Sequence, residues 1–297
     1  MIGVDFPRIH MIIVTSPKKE RMMKTSLIIL FLLLLVTIPA SAQTTRCIAI
    51  SSPPIVISKP GVYCLNVSIN YKLDIDSAII VAANNVIIDL NGHTINGLAA
   101  GPMTNARGIS ATNRQNITIK NGSIRGFNTG IFLHDTSAFK TVSQRHIIED
   151  IHVSNSRHEG MHITGSDIIL RRNRVVDTGG SDYNTAGIIA RGRGLRLQNN
   201  DVIRTHAPGL NTATAILVDL SNGAIIENNR IDTVNSPEGS RYGLRVNSSK
   251  NTLATGNRFS SVDVGIFFTS STGKYMNNLT INVNKPFLGG TAIGINN

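Results

Sequence analysis

Short runs in which apolar and polar residues alternate recur along the chain from residue 79 onward. Alternation with a period of two is typical of β-strands, because successive side chains point to opposite faces of a sheet. The first run of each repeat opens with glycine and an apolar residue, as in Gly130-Ile131. These openings lie 22 to 30 residues apart, at Gly108, Gly130, Gly160, Gly187, Ala215, Gly243 and Gly265. A repeat of this length indicates a solenoid.

Each repeat contains two further apolar runs. A second run, such as Ile168-Ile169-Leu170, is followed five residues later by a single apolar position, such as Val175. Asn-Gly pairs, as at Asn121-Gly122, supply the positive φ that tight turns need. The connections are too short for the helices that ordinarily join parallel strands. The pattern therefore predicts an all-β chain of about eight three-strand coils, in which each strand pairs with its equivalent one coil above.

Asparagine recurs at one position of these coils, two residues before the third apolar point. Side-chain amides stacked from coil to coil can bond to one another and to backbone groups at the bend. We therefore expect a structural asparagine ladder at Asn173, Asn200, Asn229 and Asn257.

The stretch from Asn85 to Ile95 resembles the opening coil of secreted right-handed parallel β-helix proteins of the pectin-lyase-like class. Ser58 to Tyr63 resembles the cap segment of the same proteins, and the resemblance covers roughly residues 47–284. It implies a single right-handed parallel β-helix. A leucine-rich repeat has a similar period, but the glycine-led run adds a strand to each repeat. The class includes lyases, hydrolases, epimerases and adhesins, so the resemblance implies the fold more specifically than the function.

The N-terminal segment has the pattern of a signal peptide. Lys24 precedes the apolar run from Leu27 to Val36, and an A-x-A sequence ends at Ala42. We predict a signal peptide at 22–42, cleaved near Ala42, and a misassigned N-terminal extension at 1–21. The protein is then exported to the periplasm or secreted, and the mature chain has no transmembrane segment.

The mature chain divides into an N-terminal cap at 43–78 and the β-helix at 79–297. Its two cysteines, Cys47 and Cys64, both lie in the cap. Because the environment of an exported protein is oxidising, we expect a disulfide between them. Neither cysteine lies in a cluster with metal-ligand spacing, so we expect no metal site there.

The chain is basic. Its formal charge is +11, and residues 1–42 hold five basic and two acidic residues, which leaves 24 basic and 16 acidic residues and a charge of +8. Outside the cytoplasm, a basic surface favours an anionic polysaccharide or another cell-surface polymer as partner. We expect no nucleic-acid partner, because the Arg-Gly sequence at 191–194 occurs once and has no interleaved aromatic residues.

The segment His158-Glu159-Gly160-Met161-His162 matches the H-E-x-x-H motif of zinc proteases. That motif needs a helix to bring both histidines to one face. Here Gly160 opens a repeat, which predicts a strand and separates the two histidines. The carboxylate-containing motifs of polygalacturonase-like and epimerase-like members are absent from the sequence, so no catalytic residue can be carried over from the resemblance.

Polar residues that point outward from the glycine-led strands form the best candidate for a binding or active surface: His134, His162, Arg191, Asp219 and Arg245. An arginine cluster adds Arg171 and Arg196, which alternation predicts to be outward and stacked on neighbouring coils. If the protein is an enzyme, we expect Arg191 or Arg245 to be the base, and His134 or His162 to be a supporting acid or ligand.

The first hypothesis is an exported β-helix that binds an anionic polysaccharide or cell-surface polymer. A second is a lyase that cleaves uronate polymers by β-elimination, a reaction for which calcium is a possible cofactor. A third is a structural or adhesin-like surface protein. The sequence leaves open whether the protein is catalytic, and no cofactor is expected for the binding function.

Overall fold

The computed structural model describes residues 47–72, 74–138 and 140–297, and the predicted leader at 1–42 lies outside the described residues. The first strands in chain order are β1 (Ile48–Ile50), β2 (Ile55–Ile57), β3 (Gly61–Leu65), β4 (Ile69–Asn70), β5 (Ser77–Val81), β6 (Val86–Asp89), β7 (Thr94–Asn96), β8 (Arg107–Thr112), β9 (Ile117–Arg125), β10 (Thr129–His134), β11 (Ile147–Ser154), β12 (Glu159–Thr164) and β13 (Ile169–Arg171). They are followed by β14 (Arg174–Gly179), β15 (Thr185–Arg193), β16 (Arg196–Gln198), β17 (Asp201–His206), β18 (Ala213–Asn222), β19 (Ile225–Glu227), β20 (Arg230–Asn235), β21 (Arg241–Asn247), β22 (Thr252–Thr255), β23 (Arg258–Thr269), β24 (Gly273–Met276), β25 (Leu279–Leu288) and β26 (Thr291–Ala292). A single 3-10 turn, Leu98–Ala100, lies among them in the described chain.

The strands stack in parallel on three sides of a coil. Sheet 1 runs through β2, β5, β8, β10, β12, β15, β18, β21 and the ends of β23 and β25. Sheet 2 contains β1, β3, β6, β13, β16, β19, β22, β24, β26 and the starts of β9 and β11. Sheet 3 contains β4, β7, β14, β17, β20, the ends of β9 and β11, and the starts of β23 and β25. The predicted single right-handed parallel β-helix is confirmed.

Inward side chains of equivalent strands lie on top of one another. In sheet 1, Ile109 pairs with Ile131, and Ile188 pairs with Ile216, and all four are fully buried. Each such side chain contributes about 1.5 to 3 kcal/mol relative to an exposed one. The apolar positions of the alternating sequence therefore form one continuous hydrophobic core along the inside of the coil.

The glycine that opens each sheet 1 strand lies where the chain approaches its neighbours closely. A Cβ atom at Gly130 would lie 2.5 Å from Val153 Cγ1 and 2.7 Å from the carbonyl oxygen of Gly160 on the next coil. A side chain there would force sheet 3 and the next coil outward, which explains why glycine recurs at this corner.

The segment expected to form a cap contributes strands that pair with the following coil. Strand β2 pairs with β5, and β3 pairs with β6, both in parallel. A disulfide joins Cys47 to Cys64, with 5.7 Å between the two Cα atoms. Strand β1, next to Cys47, pairs with β3, which contains Cys64, so the bond links two adjacent layers of sheet 2.

Asparagine side chains form a continuous hydrogen-bonded row at the bend between sheets 2 and 3. Nδ2 of Asn200 donates to Oδ1 of Asn229 at 2.9 Å, and Asn229 donates in the same way to Asn257 at 3.0 Å. The row starts at Asn173 and continues beyond the four predicted members to Asn278 and Asn296. Each internal member also donates to a backbone carbonyl, so the row satisfies polar groups that the bend would leave unpaired.

Candidate functional site

The outer face of sheet 1 presents two rows of side chains, because alternate residues of each strand point away from the core. In one row, Phe132 lies beside His162. Farther along, Arg245 lies beside Phe267. In the other row, Arg191, Asp219 and Asn247 follow one another on successive coils. Five of the predicted surface residues therefore lie on this face, one on each of the strands β10, β12, β15, β18 and β21: His134, His162, Arg191, Asp219 and Arg245.

Aromatic and histidine rings form a cluster at one end of this face. The ring of Phe132 stacks on His134, with centroids 5.3 Å apart, and meets the edge of His162 at 5.1 Å. The guanidinium carbon of Arg107 lies 3.9 Å from the centre of the Phe132 ring. Burial lowers the pKa of His134, and the nearby charges of His162 and Lys140 lower it further. His134 is therefore neutral at pH 7.

Glu159 and His162 form a buried hydrogen-bonded pair, with 3.0 Å between Oε2 and Nδ1. Burial by itself raises the pKa of Glu159, but the hydrogen bond and charge of His162 bring it below its ordinary value, so the carboxyl is ionised at pH 7. An ionised carboxylate only accepts hydrogen bonds, so Nδ1 of His162 carries the proton of this bond, and the other ring nitrogen is Nε2. That Nε2 atom is buried and has no partner in the described chain.

The same segment contains the H-E-x-x-H sequence, and the structure places Glu159–Thr164 in strand β12, as predicted. Nε2 of His158 lies 2.9 Å from the carbonyl oxygen of Asn184, whereas His162 bonds to Glu159. Within the ranges that the structure describes, no group of three His, Cys, Asp or Glu side chains is arranged to hold a metal ion.

Arg191 and Arg245 differ in their environments. Nε of Arg191 lies 3.0 Å from Oδ2 of the buried Asp219, which also accepts a 2.8 Å hydrogen bond from Asn247. Arg191 is therefore neutralised. Arg245 has no carboxylate partner among the described residues; its guanidinium lies 5.4 Å from the centre of the Tyr242 ring, and its Nε atom is buried without a partner.

The expectation that Arg171 and Arg196 stack on one another is wrong. Arg171 lies opposite Gln198, whereas Arg196 lies opposite Ile169, two residues away. Both belong to sheet 2 and so lie apart from the sheet 1 surface. Nε of Arg171 donates to Glu149 at 2.6 Å. Most of the surrounding arginines are likewise paired with acids on neighbouring coils, as in Arg172–Asp150, Arg174–Asp201, Arg204–Asp177 and Arg230–Asp201.

Glu159 and Arg107 are two members of this surface that the sequence did not reveal as site residues. In the sequence, Glu159 belongs to the H-E-x-x-H segment, and Arg107 precedes the first glycine of the repeat. Their position is the signal that they share, since each lies immediately before the opening glycine of a sheet 1 strand.

No described helix has the length and apolar character required to cross a membrane.

The family model of the right-handed beta helix region matches residues 107–284. No curated protein sequence matches the chain. The fold is similar to the enzymatically active domain of tailspike protein 2 of bacteriophage CBA120, with a TM-score of 0.57 and 12% identity over 80% of this chain and 38% of that one. It is also similar to the GH136 lacto-N-biosidase of Eubacterium ramulus, with a TM-score of 0.50 and 10% identity over 85% of this chain and 59% of that one.

The chain spans less than two thirds of either of these structures, and at such low identities the likeness shows the fold alone. The family match is of another kind, because it covers more than half of the chain and coincides with the stacked coils between β8 and β25. On this evidence the chain belongs to the right-handed β-helix family.

Proposed function

We propose that the protein is exported and binds an anionic polysaccharide along the outer face of sheet 1. The observation that carries this proposal is the set of buried polar atoms without partners on that face: His134 Nδ1, His162 Nε2 and Arg245 Nε. Buried polar atoms are nearly always hydrogen-bonded, because an unpaired one costs about 1 to 3 kcal/mol. A polar ligand along this face would supply the missing partners.

Aromatic rings lie at both ends of this face. Tyr242 stacks on Phe267 with 5.2 Å between ring centroids, and Phe132 lies at the opposite end of the face. Rings pack against the C–H faces of sugars, while imidazole and guanidinium groups bond to hydroxyl and acidic groups. The basic charge of the chain favours a polymer that carries acid groups. The similarity in fold to a lacto-N-biosidase is in keeping with a carbohydrate ligand, but the argument rests on the side chains.

Equilibrium binding of the exported full chain to a panel of uronate and sulfated polysaccharides tests this function. Arg245→Ala and His162→Ala should each weaken binding about tenfold, the effect of losing one well-placed polar contact of about 1.4 kcal/mol. Arg230→Ala is the matched control, because Arg230 belongs to sheet 3 and is paired with Asp201. The proposal fails if no polymer binds, or if the sheet 1 variants bind as tightly as the control.

The Glu159–His162 pair favours a second function, cleavage of a bound uronate polymer by β-elimination. Nε2 of His162 is buried in the free protein, so binding of the polymer would have to expose it. It would then remove the C5 proton, the C4–O bond would break as a C4=C5 double bond forms, and the proton would pass to the leaving oxygen. Glu159 would stabilise the imidazolium. His162 suits the role of base better than Arg191 does, because Arg191 is ion-paired with Asp219.

Ultraviolet absorbance of the unsaturated sugar measures this elimination directly. The assay is run with and without calcium on each polymer that binds. A rising signal that His162→Gln abolishes establishes a lyase, whereas a flat signal on every bound polymer rejects elimination and leaves the binding function in place.

A further inference from the structure

A cavity of about 480 Å³ lies at the ends of the sheet 1 strands, where the chain turns toward sheet 2. Its walls come from successive coils and from the loop between β10 and β11. The loop contributes Lys140, β15 contributes Arg193, β18 contributes Ser221, and the residues after β21 contribute Lys250. None of these side chains belongs to the rings and polar pairs of the candidate surface.

The cavity is positively charged. Lys140, Arg193 and Lys250 line it, and no carboxylate does. In the described part of the chain, none of the three lies within ion-pair distance of an acid. Nζ of Lys140 donates to the backbone carbonyl of Asp135 at 3.1 Å, which leaves its charge intact. Because like charges around one cavity repel, an anion that enters it is stabilised by all three.

A buried hydroxyl supplies a second and independent observation. Oγ of Ser221 has no hydrogen-bond partner in the described chain, although only 4% of the residue is exposed. The backbone N–H of Ser221 donates to Oγ of Ser249 at 3.0 Å, so this residue's own N–H is not the missing partner of its hydroxyl. An oxyanion can accept a hydrogen bond from such a donor and can form ion pairs with the three cations beside it.

We infer that Lys140, Arg193, Lys250 and Ser221 bind one oxyanion, a carboxylate or a sulfate. Its assignment to the acid group of a glycan rests on the proposed function, whereas binding of the free ion does not. Nζ of Lys140 donates to the backbone carbonyl of Asp135, the residue that directly follows His134 of the candidate surface. The cavity therefore adjoins the candidate surface, and a polymer along sheet 1 can place an acid group in it.

Titration of the full chain with sodium sulfate, and separately with sodium glucuronate, tests the site. Calorimetry at constant ionic strength, held with sodium chloride, should show saturable binding of at least one anion. The double variant Arg193→Gln/Lys250→Gln should lose binding at least tenfold, and Ser221→Ala should lose about fivefold. The matched control is Arg258→Gln/Lys274→Gln, which removes the same charge from exposed positions at the start of β23 and in β24.

Absence of saturable binding by both anions overturns the site, as does an equal loss in the double variant and its control. The stronger of the two anions identifies the acid group. If free ions bind but no polysaccharide does, the oxyanion site stands and the proposed function fails. If a polysaccharide binds the double variant as tightly as the control, the glycan assignment of the site is overturned.

Discussion

Nδ1 of His162 lies 3.0 Å from Oε2 of Glu159, although the two residues are only three positions apart in one strand. Side chains three apart in a straight strand point to opposite faces. The contact therefore depends on the corner at which the chain enters sheet 1, immediately before Gly160. This corner recurs in every coil, but only here does it join a glutamate to a histidine among the described coils.

Glu159→Gln should alter the response of stability to acid. The pKa of Glu159 is lower in the folded chain than its ordinary value of 4.5. The carboxylate therefore contributes stability above pH 4.5, and this contribution is lost as the pH falls through the folded pKa. Melting temperatures between pH 7 and pH 3 should fall more steeply for the wild type than for Glu159→Gln. Parallel curves for the two proteins would contradict this explanation.

His146 should destabilise the fold in mild acid. Burial lowers its pKa from 6.5 to about 4. Its Nδ1 accepts from the N–H of Ile117 at 3.3 Å, so Nε2 donates to Oγ of Ser143 at 2.7 Å. Below pH 6.5 only the unfolded chain takes up the proton, so stability falls as the pH drops from 6.5 toward 4.

The size of the shift corresponds to about 3 kcal/mol across that window. Urea unfolding at pH 7.5 and pH 4.5 gives the decrease in the free energy of unfolding between these two pH values. This decrease should be about 2 to 3 kcal/mol smaller in His146→Gln than in the wild type. The more exposed His93→Gln serves as control and should keep the wild-type loss.

Asn229→Ala should be strongly destabilising. The Asn229 side chain donates to Asn257 and to the carbonyl of Leu197, and it accepts from the backbone and side chain of Asn200. Alanine leaves several buried groups unpaired, at a cost of about 3 to 5 kcal/mol in the free energy of unfolding. Asn235→Ala removes an exposed amide from the end of β20 and should change stability by less than about 0.5 kcal/mol. Equal effects would show that the row contributes little.

The coil pattern was predictable because every inward position needs the same kind of side chain on each turn. The sequence predicts the asparagine row where its spacing stays near 28 residues, but it does not predict the last members of the row. Asn278 and Asn296 follow at intervals of 21 and 18, because the final coils are shorter. Asn173 to Asn257 therefore mark the limit of what a regular spacing reveals.

The candidate site was less predictable for two physical reasons. Alternation gives the direction of a side chain but not its partner on the next coil, because turn lengths vary. It therefore predicts that Arg171 and Arg196 stack, whereas Arg171 lies opposite Gln198. Lys140 and Lys250 lie in a loop and a turn, where no period exists, and only the folded chain brings them to one cavity.

Arg191 and Arg245 should separate stability from binding. Arg191→Ala leaves the carboxylate of Asp219, which is only 8% exposed, without its cation. A buried unpaired charge is unfavourable, so we expect a loss of about 1 to 3 kcal/mol, part of which Asp219→Asn should restore in the same chain. Arg245→Ala removes no ion pair and should leave stability within about 0.5 kcal/mol of the wild type while it weakens polysaccharide binding. Urea unfolding and polymer binding of the three variants distinguish these roles. The assignment of Arg191 to stability and Arg245 to binding would be wrong in either of two cases. In the first, Arg191→Ala is as stable as the wild type; in the second, Arg245→Ala unfolds more easily but binds normally.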